Sequence, residues 1–67
     1  MLQILEEYKS ATEKFGKFNS PHEGYAVIKE ELDELWDCIK DKYCQKEEMK
    51  KEAIQVGAMA LRFLVDL

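Results

Sequence analysis

The segment from about Glu47 to Asp66 constrains the fold most, because apolar residues recur there with helical spacing on two opposite faces. One face carries the larger apolar set: Met49, Ala53, Val56, Ala60, Phe63, Leu64 and Leu67. The opposite face carries the smaller set: Ile54, Ala58, Leu61 and Val65. The remaining polar stripe, interrupted by Met59, consists of Glu52, Gln55, Arg62 and Asp66. A helix that is apolar nearly all round must be buried nearly all round.

Two further helices precede this segment, and no stretch shows the sustained alternation of a half-buried strand. The first helix is predicted from about Leu2 to Phe15, where Gly16 supplies a left-handed stop. The second is predicted from Pro21 to about Lys42, because Ser20 can cap it and Glu23 completes a capping box. Its core stripe is predicted to consist of Tyr25, Ile28, Leu32, Leu35, Trp36, Ile39 and Tyr43.

The length of the chain decides how these helices can be covered. A chain of 67 residues forms a single domain, here residues 1–67, and a short polar loop around Cys44 to Glu47 predicts antiparallel neighbours on either side. Two helices of so short a chain cannot enclose the third, so a second copy is expected to cover it. The predicted fold is all-α: a short N-terminal helix plus a long antiparallel helical hairpin, completing a helical bundle by homo-oligomerisation as a dimer or tetramer.

Composition excludes several classes of partner. The net charge of −4 disfavours a nucleic acid partner. The longest apolar tract, residues 54–67, is too short to span a bilayer and contains charged side chains, so no membrane partner is expected.

No signal peptide is recognisable at the N-terminus. Cys38 and Cys44 lack CxxC spacing and close only a short loop, which favours two reduced thiols in a cytoplasmic protein.

Some acidic residues lie at the edge of a predicted buried face, whereas charged side chains normally lie on the solvent-exposed face of a helix. Glu31 and Glu34 lie three residues apart at the edge of the predicted core stripe of the second helix. Glu52 and Gln55 repeat this spacing at the start of the polar stripe. Because both pairs lie at similar distances from the loop, the four side chains can converge across the helix pair. Clustered carboxylates at a buried edge are costly unless a cation or proton neutralises them, so the pattern predicts a magnesium site.

The chain resembles the MazG-like members of the all-α nucleoside triphosphate pyrophosphohydrolases, whose signature is EExxE on one helix and ExxD on the next. The corresponding stretches here are Glu30-Glu31-Leu32-Asp33-Glu34-Leu35 and Glu52-Ala53-Ile54-Gln55. Residues 18–25 and 58–63 also look like those of short, phage-type MazG-like proteins. The resemblance covers about residues 15 to 67, and the pair of motifs is more specific than EExxE alone.

This resemblance implies hydrolysis of a nucleoside triphosphate to the monophosphate and pyrophosphate, with magnesium held by the paired acidic residues of the two helices; Mn2+ is the alternative cation. It implies that Glu31, Glu34 and Glu52 are the catalytic residues and metal ligands. Gln55 stands where the family has an aspartate; its amide oxygen can coordinate a cation but brings no charge and cannot act as a base. The candidate substrate-binding residues are Lys51, Arg62 and Asn19.

Two other function classes remain open from the sequence. A degenerate MazG-like binding or regulatory module without catalysis would explain both Gln55 and the short chain. An unrelated helical oligomerisation protein would carry its carboxylates only as solvated charge. For Arg62, an ion pair with Asp66 is an alternative to a contact with phosphate. A metal titration separates the first two classes from the third, and a nucleotide turnover assay separates the enzyme from the module.

Overall fold

The computed structural model describes residues 2–67 and consists of three helices. They are α1 (Leu2–Phe15), α2 (Pro21–Lys40) and α3 (Lys46–Asp66), and no strand occurs in this range. The prediction of an all-α, three-helix chain is confirmed; α2 ends at Lys40 instead of about Lys42. None of the helices in residues 2–67 is both long and apolar enough to cross a membrane.

Local sequence signals explain the helix ends between α1 and α2. Gly16 has a φ of 71°, a left-handed conformation that suits glycine, and its N–H donates to the carbonyl of Thr12. At the start of α2, the Ser20 hydroxyl accepts a hydrogen bond from the N–H of Glu23 at 3.1 Å. The Glu23 carboxylate accepts from the N–H of Asn19 at 2.7 Å, one residue before the position that a capping box requires.

The third helix is the centre of the fold. It packs against both α1 and α2, whereas α1 and α2 do not pack against each other anywhere in the described chain. Glycines permit close approach on both sides: a Cβ at Gly57 would lie 3.0 Å from the Cδ1 of Ile4, and one at Gly24 would lie 2.6 Å from the Cδ2 of Phe63. The two flanking helices therefore diverge over α3 and leave a groove between them.

The polar stripe of α3, and not its larger apolar face, is turned toward the rest of the chain. Arg62 is buried, and Glu52, Gln55 and Asp66 are half-buried. On the opposite side of the helix, the exposed residues include Ala53, Ala60 and Leu64. The floor of the groove between α1 and α2 is consequently lined by polar side chains, while apolar side chains face outward.

The predicted core stripe of α2 is wrong for the single chain. Only Ile28 and Leu35 are half-buried; the exposed members of the stripe are Tyr25, Leu32, Trp36, Ile39 and Tyr43. Helix α2 turns a different side toward α3, one that includes Gly24, Glu31 and Cys38. Helical periodicity identifies an apolar face but not the surface that covers it. The buried apolar core consists of Ala11, Phe18, Ala58 and Met59.

The prediction of two free thiols is also wrong. Cys38 and Cys44 form a disulfide, with their Cα atoms 5.5 Å apart, and no free cysteine remains in residues 2–67. Cys38 lies near the end of α2 and Cys44 lies in the connection before α3, so the turn itself brings them within bonding range. The short loop between the two cysteines indicates only a small entropic gain from pairing, and loop length alone does not reveal this geometry.

Candidate metal site and the adjoining cleft

Three glutamates from two helices converge beside the groove. One carboxylate oxygen from each of Glu31, Glu34 and Glu52 lies within 4.8 Å of the others. Glu31 and Glu34 are one turn apart on α2, and α3 supplies Glu52 from the facing side. We call these residues the carboxylate cluster.

The carboxylate cluster is electrostatically uncompensated. Partial burial, and next the neighbouring Glu34 carboxylate, raise the pKa of Glu31 from 4.5 to about 7. The same two causes raise the pKa of Glu52. One carboxylate oxygen of Glu52, Oε2, is buried without a hydrogen-bond partner in the described structure. Protonation of one carboxyl group, or a bound cation, would reduce the repulsion among the carboxylates and the cost of burying the Glu52 oxygen.

Within residues 2–67, no ion pair joins a basic side chain to the carboxylate cluster. The ion pairs found in residues 2–67 join Lys29 to Asp33 and Lys40 to Asp37, and all four of these side chains are exposed on α2. Hard carboxylate oxygens at this spacing, contributed by rigid helices, are the ligands that magnesium and manganese prefer. The chemistry of the donor set therefore fits a divalent cation.

A cleft of about 350 Å³ adjoins the carboxylate cluster through Glu31, the one member of the cluster that lines it. It lies between α1 and α2, and the polar stripe of α3 forms its floor. Glu31 and Gln55 line it on one side, and Lys17, Phe18 and Arg62 line it near the connection between α1 and α2. Gln55 is half-buried one turn after Glu52, where its amide borders the same space as the Glu31 carboxylate.

Arg62 does not form the ion pair with Asp66 that the sequence left open. The Asp66 carboxylate instead accepts a hydrogen bond from the N–H of Phe18 at 3.0 Å. The Arg62 guanidinium donates to the carbonyl of Gly16 at 2.6 Å and lies 4.2 Å from the centre of the Phe18 ring. Both polar residues therefore attach the connection between α1 and α2 to the last turns of α3.

The other two candidate substrate-binding residues lie in different surroundings. Asn19 lines the cleft, but its side-chain amide donates to the Glu23 carboxylate at 3.3 Å. Lys51 is exposed on α3 and does not line this cleft; it borders two other surface depressions, one shared with Gln55 and one shared with Glu52. Of the three candidates, Arg62 alone combines burial with a position in the cleft.

Sequence reasoning missed the contribution of the connection between α1 and α2. Lys17 and the buried Phe18 line the cleft, because Gly16 ends α1 and the chain then folds back over α3. Gly24 was a usable signal, since a glycine inside a helix favours close packing of another chain segment. Nothing in the local sequence indicates that this segment reaches Arg62.

Comparisons with protein-family models, with curated proteins and with solved structures found no match for this chain. The resemblance to the MazG-like pyrophosphohydrolases therefore stays a prediction that rests on the motifs at residues 30–34 and 52–55. The convergence of Glu31, Glu34 and Glu52 is independent of that resemblance, because it follows from the packing of α2 on α3.

Proposed function

We propose that this chain is a MazG-like, magnesium-dependent nucleoside triphosphate pyrophosphohydrolase that converts a nucleoside triphosphate to the monophosphate and pyrophosphate. The observation that carries the proposal is the carboxylate cluster, with its oxygens within 4.8 Å, beside a cleft of about 350 Å³. This volume lies in the usual range of small-molecule pockets, about 300 to 1,000 Å³.

The unsatisfied charge of the cluster supports the metal assignment. Glu52 holds a buried oxygen without a partner, and Glu31 resists ionisation. Magnesium would coordinate oxygens of Glu31, Glu34 and Glu52, with the Gln55 amide as a neutral ligand, and manganese would suit the same oxygen donors. Gln55 replaces the aspartate of the ExxD motif, so one fewer carboxylate surrounds the ion, and we expect a modest affinity for magnesium.

The chemistry follows from the position of the cluster at the cleft. A magnesium ion held by Glu31, Glu34 and Glu52 would stabilise negative charge on phosphate oxygens and lower the pKa of a coordinated water. The chain's own residues would position the attacking water, and a carboxylate oxygen of the cluster that the cation does not engage would accept its proton. Addition of water then breaks the bond between the α- and β-phosphates, so that monophosphate and pyrophosphate leave. As an alternative to coordinating the ion, the Gln55 amide would orient this water, since it cannot accept a proton.

The proposed assembly is a helical bundle formed by two or more copies, each contributing an antiparallel hairpin of α2 and α3. The support is the exposed apolar surface: Trp36 is 55% exposed and Leu64 is 78% exposed in the single chain. A buried core of Ala11, Phe18, Ala58 and Met59 is small even for 67 residues. A second copy would cover Trp36 and Leu64, neither of which lines the cleft between α1 and α2.

A binding or regulatory module without catalysis is the second candidate. Gln55 favours it specifically, because an amide at this position supplies neither charge to the metal nor a base to the water. Such a module would bind magnesium and nucleotide but release no pyrophosphate.

A screen of nucleoside triphosphates with magnesium, reading released pyrophosphate, tests the proposed activity. Turnover is expected for at least one triphosphate, and Glu52→Gln should abolish it without unfolding the helices. Glu13→Gln is the matched control, since Glu13 is an exposed glutamate of α1 away from the cluster. Magnesium and nucleotide binding without turnover would favour the module, and absence of both would favour an unrelated oligomerisation protein.

A further inference from the structure

Arg62 is the one arginine of the chain, and it is only 3% exposed. An ionised guanidinium loses strong hydration when it is buried, so a buried arginine normally has a carboxylate or phosphate partner. In the part of the chain that the structure describes, Arg62 forms no ion pair. Asp66, one turn further along the polar stripe, bonds to the N–H of Phe18 instead.

The partners that Arg62 does have are neutral. It donates from Nη2 to the carbonyl of Gly16 at 2.6 Å and from Nη1 to the sulfur of Met59 at 3.4 Å. Its Nε is buried without any partner. A guanidinium carries five N–H donors, so Arg62 retains both donor capacity and its full charge.

The guanidinium is held in place by its surroundings. The Phe18 ring, 4.2 Å away, supports one face of the group, and the Gly16 carbonyl fixes one nitrogen. Arg62 lines the cleft together with Lys17, the residue between those two contacts. A second cation thus lies at the same end of the cleft, close to the connection between α1 and α2.

The carboxylate cluster lies toward the other end. Gln55 and Arg62 are seven residues apart on α3, which corresponds to about 10 Å along the helix axis at 1.5 Å per residue. Other glutamates also line the cleft, namely Glu7, Glu23 and Glu30. The Glu23 carboxylate, which lines the cleft together with Arg62 and Lys17, accepts hydrogen bonds from the N–H and the side-chain amide of Asn19. A divalent cation therefore fits at the carboxylate cluster, and an anion fits beside Arg62 and Lys17. A ligand with several linked phosphates can contact both.

We propose that Arg62 is a preformed anchor for a phosphate group of the ligand, and that it binds this group without a metal ion. The identification of the ligand as a nucleoside triphosphate rests on the proposed function, whereas phosphate binding at Arg62 does not. Inorganic pyrophosphate is the appropriate probe, because it carries the phosphate groups and neither a base nor a sugar.

The test is an NMR titration of protein freed of metal ions by a chelating resin, at constant ionic strength set with sodium chloride. Because the chain contains one arginine, its Nε–H signal belongs to Arg62 without further assignment. Millimolar pyrophosphate should shift this signal with saturation. Arg62→Gln should weaken pyrophosphate binding at least about tenfold, since a charge-assisted bond to phosphate is lost. Lys50→Gln, an exposed lysine of α3, should bind as wild type does.

An Nε–H signal that stays unchanged up to millimolar pyrophosphate would overturn the proposal and leave Arg62 as a support for the Gly16 carbonyl. A folded Arg62→Gln variant with wild-type affinity would overturn it equally. If that variant fails to fold, the titration of the wild-type signal decides alone. If pyrophosphate binds with saturation in the absence of metal but no nucleoside triphosphate is hydrolysed, the phosphate anchor at Arg62 is upheld and the proposed pyrophosphohydrolase activity is refuted.

Discussion

Replacing Glu31 with glutamine is expected to stabilise the metal-free protein above neutral pH. The substitution preserves the size of the side chain and removes one charge from the carboxylate cluster. Since the folded-state pKa of Glu31 is about 7 and its ordinary value is 4.5, the folded state binds more protons than the unfolded state between these two values. The free energy of unfolding therefore falls as pH rises from about 4.5 to 7, and this loss is complete above pH 7.

The size of the effect follows from the geometry. The carboxylate oxygens of the cluster lie within 4.8 Å of one another; at that upper limit, two unit charges repel by about 1 kcal/mol at the dielectric constant of water and by about 3.5 kcal/mol at an effective value of 20. Glu31 is half-buried, so a gain of roughly 1 to 2 kcal/mol is expected for Glu31→Gln at pH 8. For a domain of this size, that gain corresponds to a rise of roughly 5 to 15 °C in Tm.

Thermal unfolding followed by circular dichroism at pH 5 and pH 8, with and without magnesium, measures this effect. At pH 5 the variant and wild type should differ little. Magnesium should stabilise wild type and the control variant Glu13→Gln by about 1.4 kcal/mol at ten times its Kd, and it should not stabilise Glu31→Gln. A Glu31→Gln variant that is less stable than wild type at pH 8 without metal would refute the electrostatic interpretation of the cluster.

Three further substitutions test separate parts of the structure. Leu64→Glu, on the exposed side of α3, should shift the oligomer toward monomer in sedimentation. Dilution of wild type should red-shift the fluorescence of Trp36, because dissociation exposes this side chain further. Unchanged sedimentation and unchanged emission would argue against the bundle. Without reductant, Cys44→Ser should lower the free energy of unfolding by roughly 2 kcal/mol, because the disulfide to Cys38 is lost. In dithiothreitol, the variant and wild type should be equally stable. Equal stability without reductant would show that Cys38 is a free thiol in solution. Gln55→Glu should tighten magnesium binding measured by calorimetry, because a charged oxygen binds a hard dication better than an amide does; weaker binding in a folded variant would remove Gln55 from the site.

The helices were predictable because their signals are local. Gly16, Ser20 and Pro21 act within one turn of the chain, and they place the end of α1 and the start of α2 where the structure has them. The convergence of Glu31, Glu34 and Glu52 was also predictable from their spacing. Residues three apart share a helix face, and the connection before α3 is short.

The surroundings of these helices were not predictable, because they depend on which side each helix turns toward its neighbours. Periodicity placed Trp36 in the core, whereas the single chain leaves it exposed. Burial of Arg62 depends on the path of residues 16–18 over α3, which no local pattern indicates. Pairing of Cys38 with Cys44 likewise follows from the shape of the turn and not from their spacing in the sequence.

Binding of Mn2+ measured by electron paramagnetic resonance, with magnesium as competitor, reports directly on the carboxylate cluster. Manganese suits the same oxygen ligands as magnesium, and its free-ion signal falls when it binds. Wild type should bind manganese with saturation, magnesium should displace it, and Glu52→Gln should lose most of the affinity while Glu13→Gln retains it. Manganese binding that is absent, or that survives unchanged in Glu52→Gln, would contradict a divalent cation site at Glu31, Glu34 and Glu52.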